Sequence, residues 1–477
     1  MKYVIGLDGG TQSTKVAIYD LQGRIICEEK ASLSPLYCPD ADTAEHPGDD
    51  LWDSLKATGK RLMEKFPGDP SDIIAIGLGS IRCCRTYLKK DGTLAYPVIN
   101  WMDKRLAKPY PGDIPDFQYL STTTGYLTVR LTGNFVDTAA NYEGVYGPFS
   151  KEEWKWSDNP EDYKPYNITR ENLFDLVMPG EQLGTVTHEA ALATGFPEGC
   201  PVIATANDKA AEGLGAGIID DSTCLISLGT YIGGMINGHE FNDNATHYWS
   251  NLSAIPHRYL YEGMKGIRRG MWSVSWFKEV MGEPWAEKAK AEGLSVEQLL
   301  EREALQVPAG SDGLITVPEF LSPNDMPYRK AMMIGFDGRH KRGHMYRSIL
   351  ESIAMTMHIS MTNMFEEMGY RPQRLIVSGG GSKSDLFMQI FADVFGMDSV
   401  RNEITDAAGI GAAVCAAVGV GAYPDYETAV ANMVRIQDSF KPNLENTALY
   451  QKVEDTVYRN IKDYSDPVNK KIYSLFG

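Results

Sequence analysis

The segment from Ile5 to Lys15, reading Ile-Gly-Leu-Asp-Gly-Gly-Thr-Gln-Ser-Thr-Lys, restricts the folds open to this chain more than any other. The apolar run 4–8 predicts a buried strand, and 15–19 predicts a second one beyond a turn at Gly9 and Gly10. Paired glycines between strands permit positive φ and let a ligand approach the backbone closely. Successive N–H groups in such a turn can cradle phosphate oxygens. Thr11, Gln12, Ser13, Thr14 and Lys15 add further donors. Asp8, at the strand end, suits a water-mediated contact to Mg²⁺. The same residues also describe an ordinary hairpin with a polar turn, because short glycine patterns recur widely. The rest of a nucleotide site has to come from elsewhere in the chain.

With 477 residues the chain has room for roughly two to four domains, each with its own core. A hydrophobic content of 43% and a charged content of 23% are those of a globular protein. The net charge of −17 argues against a nucleic-acid surface, which needs Lys and Arg to replace phosphate counterions. Seven scattered cysteines without a Cys-x-x-Cys pair point to free thiols in a reducing, cytoplasmic setting. Asp8 interrupts the early apolar run, so no signal peptide is expected. No apolar stretch approaches the ~18 residues of a membrane span.

Residues 24–33 continue the opening sheet, and 49–66 are amphipathic, with Leu51, Leu55, Leu62 and Phe66 on one helical face. Residues 73–78 read as another buried strand. Residues 110–167 are rich in loops, and 172–176 and 189–194 predict short helices. Residues 201–205 form a strand that runs into Asn207-Asp208 and then a small-residue helix reaching Gly217. Strand 222–228 with Gly229-Thr230 and Gly233-Gly234 repeats the plan of 5–15, which suggests a duplicated architecture. Residues 343–368 predict a Met-rich helix whose methionines fill core, followed by a strand at 374–378 and Gly379-Gly-Gly-Ser382. Helices are predicted at 383–395 and 406–418, the second small and apolar enough to pack closely, and a helical cover is predicted for the remainder.

These motifs together, with Trp101-Met-Asp-Lys-Arg105, Leu131-Thr-Gly133, Gly195 to Pro201 and Ala408-Gly-Ile-Gly-Ala-Ala413, give the chain a strong likeness. It resembles the carbohydrate kinases of the FGGY family, which share the actin and sugar-kinase fold. The resemblance spans nearly the whole chain and implies an α/β protein. Two actin-like (ribonuclease H-like) domains, 1–217 and 218–477, would hold a nucleotide cleft between them. By the resemblance, Thr11, Gln12, Ser13 and Lys15 form the first phosphate loop and Gly229 and Thr230 the second. Gly380, Gly381 and Ser384 hold the adenosine end, and Gly270 is a further nucleotide-contacting glycine, although its spacing to Trp276 is one residue long. ATP and Mg²⁺ are the implied cofactors, with Asp8 and Asp208 at the metal.

Asp208 resembles the catalytic base, since an acceptor hydroxyl needs a carboxylate within hydrogen-bond reach. The helix N-terminus favours its ionised form; the alternative is that Asp208 only caps that helix. Phosphoryl transfer itself is mostly positioning and electrostatics. The likeness therefore implies an ATP-dependent kinase acting on a hydroxyl of a sugar, polyol or sugar acid. The substrate motif departs from better-known relatives. Glycerol kinases carry Arg-Glu after the strand matching 73–80, where this chain has Arg82-Cys83. Xylulokinases carry Met-His, where it has Ile81-Arg82. The usual Gly-Glu-Arg-x-Pro becomes 322–327, and Asp406 replaces a frequent Glu. Arg82, Trp101, Asp103 and Arg105 are the acceptor candidates; Arg82 and Arg105 also read as ordinary surface or inter-strand charges, and Trp101 as core. Competing classes are a catalytically silent sugar or nucleotide sensor and an ATPase switch. The expected partner is a small sugar or polyol, with neither nucleic acid nor membrane, and the oligomeric state, a homodimer included, is left open.

Overall fold

A computed structural model describes residues 1–142, 146–323 and 325–477. Residues 143–145 of the loop-rich stretch and Asn324 of the 322–327 segment lie outside the described residues. The chain builds two large mixed sheets on one plan. In the first, Tyr3–Gly9 pairs antiparallel with Ser13–Asp20, which pairs with Ile25–Ser32. On its other edge Tyr3–Gly9 runs parallel to Ile73–Ser80, which runs parallel to Pro201–Asn207. In the second, Thr223–Leu228 pairs antiparallel with Ile232–Gly238 and parallel with Arg374–Gly379, which lies parallel to Asp398–Asn402. Both glycine turns therefore sit at the same point of the plan, where the central strand of a sheet turns into its antiparallel neighbour. The parallel central strands are near-continuous apolar runs because helices cover both faces.

The helix Ala407–Gly419 lies against the first sheet, crossing Tyr3–Gly9 where neither side carries a side chain. A Cβ on Gly6 would stand 1.9 Å from the Gly409 carbonyl oxygen. It also meets the helix Asp208–Ala216, where a Cβ on Gly411 would stand 1.9 Å from the Ala211 oxygen. The small residues of 406–418 are thus a requirement of backbone-to-backbone contact. Asp208–Ala216 ends at Gly217, whose φ of +98° turns the chain toward the second sheet. Helix Asp50–Lys65 buries Leu51, Leu55 and Leu62, with Phe66 behind them, and Met355, Met357, Met361 and Met364 are core.

Two expectations are corrected. Residues 172–176 are not a helix: a short turn, Arg170–Asn172, closes when Asn172 Oδ1 accepts the Thr169 amide at 2.9 Å. The chain then extends as Asp175–Val177, parallel to Val136–Thr138. The region beyond 419 is not purely helical either. Ile436–Phe440 adds an edge strand to the second sheet between the helices Tyr426–Met433 and Leu444–Thr456. Among the described residues no helix is long and apolar enough to cross a membrane.

Candidate active site

The strand Pro201–Asn207 loses register with Ile73–Ser80 between Ala204 and Asn207, and such irregularities re-aim side chains. Asn207 caps the following helix, its Oδ1 accepting the Ala210 amide at 3.0 Å. Asp208 is thereby released from capping, and its Oδ1 accepts the amide of its neighbour Lys209 at 3.0 Å. Burial pushes the Asp208 carboxyl up, while Lys209 and Arg82 pull it back down. Asp8, at the end of Tyr3–Gly9, is pushed up to about 7, by burial first and then by the charges of Asp208 and Asp406, with Lys15 opposing. Its Oδ1 is buried without a hydrogen-bond partner. A carboxylate so placed fits a cation. Among the described residues no group of three or more His, Cys, Asp or Glu can hold a metal, so an ion here would take most of its ligands from phosphate and water.

The first glycine turn is closed by the Gly10 amide donating to Ser13 O at 2.9 Å. Thr11 accepts from Trp101 Nε1 at 3.3 Å, Gln12 is exposed and Ser13 begins the next strand. Lys15 lies on the strand just beyond the turn, opposite Asp8. Its Nζ lies 3.0 Å from Asp406 and 3.1 Å from Glu28. Burial opposes that charge, yet the two carboxylates hold the ammonium above its usual pKa. In the second turn Thr230 is exposed. The Gly270 amide donates to Thr230 O at 2.8 Å and the Met271 amide to Gly229 O at 3.2 Å. The start of helix Gly270–Met281 is thus fixed against the turn, and a Cβ on Gly270 would strike Ile232 at 2.2 Å. Gly380 is exposed with nothing within 4 Å of its missing Cβ, whereas Gly381 is buried against Leu228 and Met271. Ser384 caps helix Asp385–Phe395, accepting the Phe387 amide at 3.1 Å and donating to Glu301 at 2.8 Å. Its hydroxyl is engaged by protein.

The acceptor candidates separate into two pairs. Arg82 reaches the second sheet and grips Glu262 with both guanidinium nitrogens, Nη2 to Oε2 at 2.9 Å. Trp101 is 52% exposed, not core, and Met102 beside it is exposed as well. Asp103 and Arg105 face inward. Asp103 accepts the Ala44 amide at 2.8 Å and Arg105 Nε at 2.9 Å, and Arg105 also reaches Glu45 at 2.6 Å and Tyr96 at 3.2 Å. Burial opposes the Asp103 charge, but Arg105 and the Ala44 amide hold its carboxyl below the usual range. This network secures the loop carrying Trp101.

Three groups escaped sequence reasoning. Lys209 Nζ bonds Glu212 at 2.7 Å. Glu212 also accepts from Ser227 Oγ at 2.6 Å and Ser378 Oγ at 3.0 Å, residues that stand opposite each other on parallel strands of the second sheet. Burial would raise Glu212, but Lys209 and the two serines keep it below its usual pKa. The i, i+3 spacing of Lys209 and Glu212 was a readable signal for that pair. Glu262, on strand Tyr259–Gly263, gave none.

Residues 3–111 match the model for the FGGY family of carbohydrate kinases, N-terminal domain, and 224–420 match the C-terminal domain. An Escherichia coli K12 protein described as the uncharacterized sugar kinase YgcE is 49% identical over 99% of this chain and 96% of its own length. The crystal structure of xylulose kinase from Rhodospirillum rubrum superposes with a TM-score of 0.84 at 23% identity, covering 98% of this chain and 100% of that one. Gluconate kinase from Lactobacillus acidophilus does so with a TM-score of 0.83 at 20% identity, covering 99% of each. The two sheets of one plan are thus the two actin-like domains of that fold. The chain belongs to the FGGY family of carbohydrate kinases, phosphotransferases that use ATP and an alcohol acceptor.

Proposed function

We propose that this kinase transfers the γ-phosphate of ATP to a hydroxyl of a sugar, polyol or sugar acid, with Asp208 as the base, between halves 1–217 and 218–477. The observation that carries the reading is the division of labour at the strand end. Asn207 supplies the cap, so the Asp208 carboxylate is left for another task. Lys209 and Arg82 favour its ionised form against burial, as a proton acceptor needs. In the step, the acceptor oxygen bonds the γ-phosphorus, the bond to the β-bridging oxygen breaks, ADP leaves, and the acceptor proton passes to Asp208. Thr11, Gln12 and Ser13 in the first turn, and Gly229 and Thr230 in the second, line the phosphates from opposite halves. Gly270 sets the height of the second turn, and Gly380 and Gly381 take the adenosine end. Lys15 and Ser384 support these segments through Asp406 and Glu301. Asp8, with its unpartnered oxygen, and Asp208 are the residues that would hold Mg²⁺. When bound, that ion neutralises phosphate charge.

A coupled ADP-release assay across ketoses, polyols and sugar acids tests the reading. ADP release that requires one acceptor and yields a phosphate ester is expected. ATP hydrolysis indifferent to every acceptor would favour an ATPase switch instead.

A further inference from the structure

Asp208 has cationic neighbours, and each is already held by a carboxylate. Lys209 sits on Glu212 at 2.7 Å, and Arg82 sits bidentate on Glu262. Glu212 is pinned by Ser227 and Ser378, and Glu262, only 9% exposed, also accepts Asn251 Nδ2 at 2.7 Å. The charges of Lys209, Arg82, Glu212 and Glu262 all act on Asp208, so an acceptor whose hydroxyl reaches Asp208 enters their field.

We propose that Glu262 makes the site selective for uncharged polyhydroxy acceptors over sugar acids, by occupying the Arg82 fork from the opposite half and adding a carboxylate beside Asp208. The inference rests on the reading above and narrows its substrate class. A hydroxyl is donor and acceptor at once, so a polyol can donate to Glu262 and accept from Arg82 without parting them. A sugar carboxylate only accepts. It would have to take the Arg82 fork from Glu262, the arrangement that bidentate Arg–carboxylate geometry favours most, and leave Glu262 unpaired. It would also add a charge where Asp208, Glu212 and Glu262 already outnumber Arg82 and Lys209. Like charges brought together inside a desolvated site are a strong means of rejecting a wrong ligand. The fold itself does not make this choice, since a gluconate kinase shares it; the side chains around Asp208 do.

Matched pairs that differ only in a terminal CH2OH or COO⁻ test the idea: glucitol against gluconate, xylitol against xylonate, glycerol against glycerate. The full-length enzyme should use the neutral member of its best pair with a kcat/KM higher by about tenfold or more. Glu262→Gln, which removes the competing charge and loosens Arg82, should narrow that ratio by about tenfold, whereas Glu262→Asp should keep it. A wild-type preference for the acid, or an unchanged ratio in Glu262→Gln, overturns the inference while leaving the kinase reading standing. The wild-type comparison decides by itself where Glu262→Gln does not fold. Acceptor-independent ADP release with every pair would remove the reading on which the inference rests, and the inference with it.

Discussion

Asn207 accepts the Ala210 amide at the helix start, so Asp208 is spared a structural bond that its sequence position invites. A buried carboxyl pushed up by burial is a cost to folding, which the proposed role as base would account for. His46 shows the opposite case, a titratable group whose surroundings serve stability. It is 1% exposed, accepts Asn100 Nδ2 at 3.0 Å, and burial lowers its pKa to about 4, with Asp50 weakly opposing. The neutral ring is the folded form, so an unfolded chain binds a proton first as the pH falls. Its contribution is complete above about pH 6.5 and is lost as the pH drops toward 4, amounting to about 3 kcal/mol. Melting curves of wild type and His46→Gln between pH 4 and 7 should therefore converge as the pH falls. Parallel curves would place the pH dependence on other groups.

Helix Ala407–Gly419 does at the scale of elements what no single residue does: it joins the first sheet to helix Asp208–Ala216 by bare backbone. Gly411→Ala would force a Cβ into the Ala211 oxygen and should destabilise by about 1–3 kcal/mol or more. Gly380→Ala meets nothing within 4 Å and should leave the melting temperature in place while raising the KM for ATP. Equal stability of the two variants would contradict the close crossing. That helix was readable from composition alone, because Ala and Gly in such density predict close approach. Likewise the strands at 4–8, 73–78, 201–205, 222–228 and 374–378 announced themselves as continuous apolar runs. Ile436–Phe440 did not, since this edge strand is largely exposed, with Gln437, Asp438 and Ser439 at its middle, and needs no such run. Residues 172–176 read as a helix because the Thr169–Asn172 exchange that closes the turn before them also opens helices.

Across the whole molecule, the contacts that define the site join residues far apart in sequence: Arg82 to Glu262, Lys15 to Asp406, Glu212 to Ser378. Local periodicity carries no trace of them. The loops bearing Thr11, Trp101 and Asp208 could be named from the sequence, yet the inward turn of Asp103 and Arg105 and the entry of Glu262 depend on how two sheets meet. All three pairs join residues of 1–217 to residues of 218–477. The central claim is that Asp208 takes the acceptor proton. Single-turnover ADP release by Asp208→Asn, with a turned-over acceptor in excess, measures it directly. The rate should fall by about 10²–10⁴-fold with the melting temperature not lowered, because Asn207 keeps the cap and a buried charge is removed. Full-rate transfer by Asp208→Asn, or lost activity that merely follows early melting, would contradict the account.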